Sequence, residues 1–396
     1  MERHVSPYNK PLILKNVPVF CDVTLREGEQ TAGVAFTQAQ RKHLVELLDA
    51  AHIHQVQLYN TWRGDKVDEA MMAINEELSA LPKKTIKTEV LNFNTSDKAK
   101  LKQMIDLQAQ THPDIIHASF SLKDASESEL TEREHKIQET AYYIASKGIE
   151  ANISLLDATR APEKILARMT KAAADAGAAR VRLADTVGVA EPGGIQAMCE
   201  TAVDAIGDGS TILGIHTHND FGLALADAIA GLKGGATLVD GSLNGLGERC
   251  GNASLIEIIL TLEGLYGIST GVDLKALKNL AEYAAEMSGI PVAPNAPFMG
   301  KYAFSDNLPA HVLLSAKDPF AVEGFLPEEI GQKRIAFLTP KTTLEVLDML
   351  CKRNHIAVTE EQLPSLYQQI SKRCSEDHKV VLTEEDLPAL AKAANL

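Results

Sequence analysis

Two hydrophobic periods alternate along the first 265 residues or so. Short β-rich runs are each followed by a segment that is apolar at every third or fourth position. The runs are VPVFCDVTL (17–25), IHQVQLYN (53–60), TIKTEVL (85–91), DIIHASFS (114–121), EANISLLDA (150–158), RVRLADT (180–186), TILGIHTH (211–218) and TLVDGSLN (237–244). Between them lie segments such as TQAQRKHLVELLDAAH and APEKILARMTKAAADAGA, which end in Gly or polar residues; Thr37 is placed as the N-cap of the first. Strands each followed by a helix predict an α/β fold, a closed (β/α)8 TIM barrel. An open doubly wound sheet would want a Gly-rich dinucleotide turn after strand one, where this chain has TLREGEQ.

Beyond residue 285 the pattern changes. SGIPVAPNAPFMGKYAFSDNLPA reads as an irregular Pro-, Asn- and Gly-rich linker. TPKTTLEVLDMLCKRNHIAVTEEQLPSLYQQISKRC and TEEDLPALAKAANL read as short amphipathic helices. The expected organisation is a barrel over 1–285, a linker or lid over 286–335 and a small, mostly helical region over 336–396.

Composition narrows the class. A net charge of −14 over 396 residues argues against a nucleic-acid or membrane-surface binder, so an anionic substrate needs locally concentrated Arg and Lys. Five cysteines without CxxC spacing read as reduced thiols of a cytoplasmic protein. No signal peptide or membrane span is visible, so a soluble protein is expected.

The polar residues fall at the strand ends. Asp22, Arg26 and Glu27 follow strand one; Asp157 and Arg160 follow strand five; Asp185 and Thr186 follow strand six. His216, His218, Asn219 and Asp220 follow strand seven, and Asn244, Glu248, Arg249 and Asn252 follow strand eight. Barrel sites are built at C-terminal strand ends, so these residues converge on one mouth. His216 and His218, two apart on a strand, project to the same side. Alone, HxH reads equally as a pair of core or surface histidines. With Glu27 and Asn252 at matching strand ends it becomes a mixed nitrogen and oxygen set suited to Mn²⁺, Mg²⁺ or Zn²⁺. Arg26 beside Glu27 can hold a substrate carboxylate, Thr186 can hydrogen-bond it, and Asp22 is read as orienting Arg26 or a water on the metal.

DVTLREGEQ, LADTVGVAEP, HTHNDFGLALA and GLGERCGNASL, in this order, resemble the DRE-TIM metallolyases. Within them the chain is similar, from about residue 17 to about 335, to the acyl-CoA-dependent Claisen synthases: homocitrate, 2-isopropylmalate and citramalate synthases. Glu27, where isopropylmalate synthases usually have Asp, leans toward the homocitrate branch, whose substrate is 2-oxoglutarate. The resemblance implies a divalent metal, acetyl-CoA as co-substrate and a 2-oxo acid partner. PFMGKYAFSDNLPAHVLL is similar to the post-barrel segment of the synthases, with the pattern F-[TS]-H-x-x-G-I-H. His311 matches its catalytic histidine, which often serves the partner subunit, so a homodimer is expected; Asp306 and Pro309 replace the family His and Gly.

Departures cluster in the substrate pocket. Gln57 stands where the family has a Glu, Trp62-Arg63 follows, LNFNTSD replaces an Arg-containing turn, Lys123-Asp124 replaces Ser-Asp, and Leu156 replaces an acid. Arg63, Lys123, Arg160 and Arg182 are candidate partners for an extra anionic group; for Arg63 and Lys123 the alternative is a solvated loop charge. Two other functions stay open: a metal-dependent retro-aldol or retro-Claisen lyase, and a catalytically reduced binding homologue.

Overall fold

A computed structural model describes residues 5–58, 62–63, 66–82, 85–92, 97–123, 126–376 and 381–396, with backbone alone at 62–63 and 66–67. It divides into two compact units: Lys10–Pro291, and Val292–Leu396 together with the N-terminal residues up to Asn9.

The first unit is a closed parallel barrel. Its strands are β1 (Val19–Asp22), β2 (Gln55–Leu58), β3 (Lys87–Asn92), β4 (Ile115–Ser121), β5 (Glu150–Leu156), β6 (Arg180–Asp185), β7 (Ile212–Thr217) and β8 (Leu238–Gly241). They follow one another around the ring, and β1 closes it by pairing with β8, Val19 opposite Leu238 and Asp22 opposite Gly241. Between and after the strands run α1 (Gln38–Ala50), α2 (Glu69–Ser79), α3 (Lys98–Ala109), α4 (Glu127–Ala145), α5 (Glu163–Asp175), α6 (Pro192–Ile206), α7 (Ala224–Lys233), α8 (Leu255–Tyr266) and α9 (Leu277–Ser288). Thr37 caps α1 as expected, in a reciprocal capping box with Gln40. The strands are buried on both faces, which is why they read as near-continuous apolar runs.

The barrel interior is not purely apolar. Gln55, Gln57, Glu89, His117, Asn152, Arg182 and Asp240 are all buried in its strands. Buried charges persist only when paired, and these are.

The second unit carries α10 (Pro309–Lys317), α11 (Leu344–Arg353), α12 (Leu363–Glu376) and α13 (Leu387–Ala393), packed on Leu338, Leu347, Leu350, Leu366, Ile370 and Leu387. It also holds a small sheet that the pattern did not predict: β9 (Ser305–Asp306), β10 (Ile335–Leu338) and β11 (Leu382–Thr383), with β10 in the middle. Buried Glu384 ties this sheet to α11, accepting from the backbone N–H of Ala336 at 2.8 Å and from Arg353. Among the described residues no helix is long and apolar enough to cross a membrane.

Candidate active site

β7 and the turn after β1 bring three donors together. His216 lies near the end of β7, and His218 just beyond it forms an isolated bridge with Asn252. Glu27 comes from the turn after β1. One ligand atom from each of Glu27, His216 and His218 lies within 4.8 Å of the others, and all three residues are buried. The loop after β8 makes this possible through glycine. Gly251 has φ +87°, and a Cβ there would stand 1.9 Å from the Gly245 oxygen; a Cβ on Gly247 would stand 1.9 Å from Asn252 Oδ1. The glycines of GLGERCGN are therefore what let Asn252 reach its place.

The donor set fits a divalent cation. Glu27 Oε2 and His218 Nδ1 are buried with no hydrogen-bond partner; Asn252 Oδ1 is also buried and unbonded, on the side of the amide that faces Gly247. Asn252 Nδ2 lies 3.2 Å from His216 Nε2. Burial alone would raise the Glu27 carboxyl, but the Arg26 guanidinium and His216 outweigh it and hold it well below the usual range. Burial, with His216 alongside, pushes His218 down to about 4, leaving a neutral imidazole with a lone pair to give. Burial would lower His216 too, yet its bonds to Asp240 and Glu27 raise it. Its Nδ1 is 2.8 Å from Asp240 Oδ2, which fixes the ring and turns Nε2 toward Glu27 at 3.4 Å.

The triad lines a cavity of about 290 Å³ whose wall also includes Arg26, Asn92, His117, Ser154, Arg182 and Thr186. Arg26 donates from Nε to Gln57 Oε1 at 2.6 Å and from Nη1 to Glu27. Thr186 Oγ1 accepts from the backbone N–H of Asp157 at 2.8 Å, so its own proton can be given to a ligand.

Several sequence-predicted residues sit otherwise. Asp22 does not orient Arg26: its two oxygens accept from the backbone N–H of Thr24 at 3.0 Å and from Thr24 Oγ1 at 2.8 Å. Arg182 reaches the cavity, but its charge is taken. Nη1 and Nη2 donate to the two oxygens of Glu89 at 2.6 and 3.1 Å, and Nε is 3.0 Å from Asp240 Oδ2. Arg160 pairs with Asp157 of its own turn at 2.7 and 2.8 Å and is not among the residues lining the cavity. Lys123 is exposed and does not line it either. The side chain of Arg63 lies outside the described residues, as does Asp124. His311 belongs to the second unit, half exposed, with Nδ1 2.8 Å from Asp306 Oδ2.

Asp240, Glu89 and His117 are among the site residues that escaped sequence reasoning. Each interrupts an apolar run at an interior-facing position, in TLVDGSLN, TIKTEVL and DIIHASFS. A charge inside a buried strand was the available signal.

Residues 17–283 match the HMGL-like family, and the chain belongs to it. It is 34% identical over 390 residues to homocitrate synthase AksA of Methanocaldococcus jannaschii, covering 96% of this chain and 91% of that one. To 2-isopropylmalate synthase of Sulfolobus acidocaldarius it is 32% identical, covering 95% of each. To the putative (R)-citramalate synthase CimA of Methanopyrus kandleri it is 30% identical, covering 94% and 71%. Among solved structures, the HMG-CoA lyase of Bacillus subtilis shares the fold, with a TM-score of 0.59 at 20% identity over 72% of this chain and 97% of that one.

Proposed function

We propose that this protein condenses acetyl-CoA, or a related acyl-CoA, with a 2-oxo acid, as a metal-dependent Claisen synthase. The observation that carries this reading is the buried Glu27–His216–His218 group with Arg26 beside it at the C-terminal mouth of the barrel. Glu27, His216, His218 and Asn252 would hold a divalent cation, which would supply Lewis acidity to the carbonyl of the 2-oxo acid. The N and O donors suit Mn²⁺, Mg²⁺ or Zn²⁺.

The chain's own residues then divide the work. Arg26 spends Nε and Nη1 on Gln57 and Glu27 and turns its remaining N–H groups to the substrate carboxylate. Thr186 donates its hydroxyl to the same carboxylate. His311 takes a proton from the acyl-CoA methyl group at Nε2, since Asp306 occupies Nδ1. The carbanion so formed attacks the keto carbon, making one C–C bond as the carbonyl π pair moves onto its oxygen, which takes up a proton to become the hydroxyl. Water then cleaves the thioester, releasing CoA as a thiol and leaving a 2-hydroxy-2-carboxymethyl acid. A soluble cytoplasmic homodimer is part of the same reading, on the resemblance that places His311.

The test is free-thiol release from acetyl-CoA against a panel of 2-oxo acids, with Mn²⁺ and after chelation. Release that needs both a 2-oxo acid and the cation supports the reading. Release without either, or none from protein shown to hold Mn²⁺, overturns it.

A further inference from the structure

Across the barrel from the metal-ligating group, β3, β4 and β5 form the remaining wall of the cavity. Leu91, Asn92, His117, Ser119, Ser154 and Leu156 line it there. Two of these side chains carry unused hydrogen-bonding atoms. Asn92 is fully buried with neither Oδ1 nor Nδ2 bonded, and Ser154 is buried with Oγ unbonded. Buried amide and hydroxyl groups are rarely left so, because each unmade bond costs free energy that a ligand's polar group would restore.

The charges around this wall are already spent. Arg182 is held between both oxygens of Glu89 and Asp240. His117 keeps Nδ1 on Glu89 at 2.9 Å and, as a neutral ring, accepts at Nε2 from Ser119 Oγ at 3.2 Å. Burial pushes His117 down to about 4, which keeps it neutral. Among the described residues that line the cavity, the remaining cation is Arg26, beside Glu27, where one carboxylate is required. A second carboxylate at the β3–β5 wall would lose its water near Glu89 without gaining a free cation among those residues.

We infer that Asn92 and Ser154 are specificity-determining residues that read a neutral, hydrogen-bonding side chain, a hydroxyl or a carboxamide, on a 2-oxo acid carrying a single carboxylate. This rests on the condensation reading above and narrows it away from the dicarboxylic 2-oxoglutarate that the homocitrate branch uses. Leu91 and Leu156 bracket the methylene groups of such a side chain.

The experiment measures kcat/KM for thiol release with acetyl-CoA and Mn²⁺ on the full-length protein. The acids are 4-hydroxy-2-oxobutyrate and 2-oxosuccinamate, their apolar counterparts 2-oxobutyrate and 2-oxoisovalerate, and the dicarboxylates oxaloacetate and 2-oxoglutarate. A hydroxyl or carboxamide acid should exceed the apolar and dicarboxylic acids by about tenfold or more, the least that leaving a buried polar group of the wall unpaired should cost. In Asn92→Leu and Ser154→Ala the ratio of the polar to the apolar acid should fall at least about tenfold and about threefold respectively. The ranking on the unmodified protein stands even where a variant fails to fold. A dicarboxylate ranked first, an apolar acid ranked first, or ratios unmoved in folded variants would overturn this inference and leave the condensation intact. Silence with every acid, from protein shown to bind Mn²⁺, would overturn the condensation reading and this inference with it.

Discussion

Asp240→Asn removes one negative charge from behind the Glu27–His216–His218 group. Asp240 Oδ2 is 2.8 Å from His216 Nδ1, so the ring is oriented and made more basic by a carboxylate it does not share with the cation. Asn is of the same size and can still present an oxygen to Nδ1–H. What is lost is the charge assistance, which makes a hydrogen bond roughly twice as strong. Loss of such an outer partner typically weakens metal binding by about 10–100-fold, or roughly 1.4–2.8 kcal/mol. Arg182 loses one of its two carboxylates but keeps both oxygens of Glu89, so a stability cost of about 1–3 kcal/mol is expected without unfolding. Chelator competition with Mn²⁺ on metal-stripped protein reads the first effect, and thermal unfolding reads the second. An affinity within twofold of the parent in a folded variant would refute the role given to Asp240.

Further outcomes follow from the same geometry. His216 is raised by Asp240 and Glu27, so a cation entering beside Nε2 competes with a proton; apparent Mn²⁺ affinity should climb as pH rises above about 6.5. Calorimetry in buffers of different ionisation heat should show proton release, and its absence would put the cation elsewhere. Asp22 is raised by burial from 3.8 to about 7, so the folded state holds this proton more tightly than the unfolded chain. Stability tied to it is present below pH 3.8 and lost as pH rises through about 7, a swing of about 4 kcal/mol at most. Asp22→Asn should therefore gain on the parent between pH 5 and pH 8 in urea unfolding, and a flat difference would contradict the buried acid. His311→Ala should lower turnover by about 10²–10⁴-fold with metal content unchanged; Asp306→Asn should lower kcat by about tenfold with little change in KM. Full turnover in His311→Ala would remove it as the base.

The barrel was legible because each strand is both short and buried, which gives a run that no helix of this length produces. The grouping of Glu27, His216 and His218 was legible for a related reason. A period of two fixes His216 and His218 to one side, and strand ends in a barrel share one mouth. Partnering was not legible. Arg182 and Glu89 are 93 positions apart, and nothing local marks one as the other's counter-ion. Arg160 was misread for the opposite reason: its partner Asp157 is three residues away, in a turn whose φ of +61° folds the two side chains together. The small sheet of the second unit was invisible because two-residue strands such as Ser305–Asp306 carry no period at all.

The most direct measurement supplies acetyl-CoA labelled with carbon-13 in its methyl group, together with Mn²⁺ and a 2-oxo acid, and follows the label by NMR. Condensation moves the label into a methylene joined to a tertiary carbinol carbon, in step with free thiol, and Glu27→Ala or His218→Ala abolishes the signal. Labelled acetate beside unchanged 2-oxo acid, or a new methylene that persists in both variants, would contradict a Claisen synthase built on this metal-ligating group.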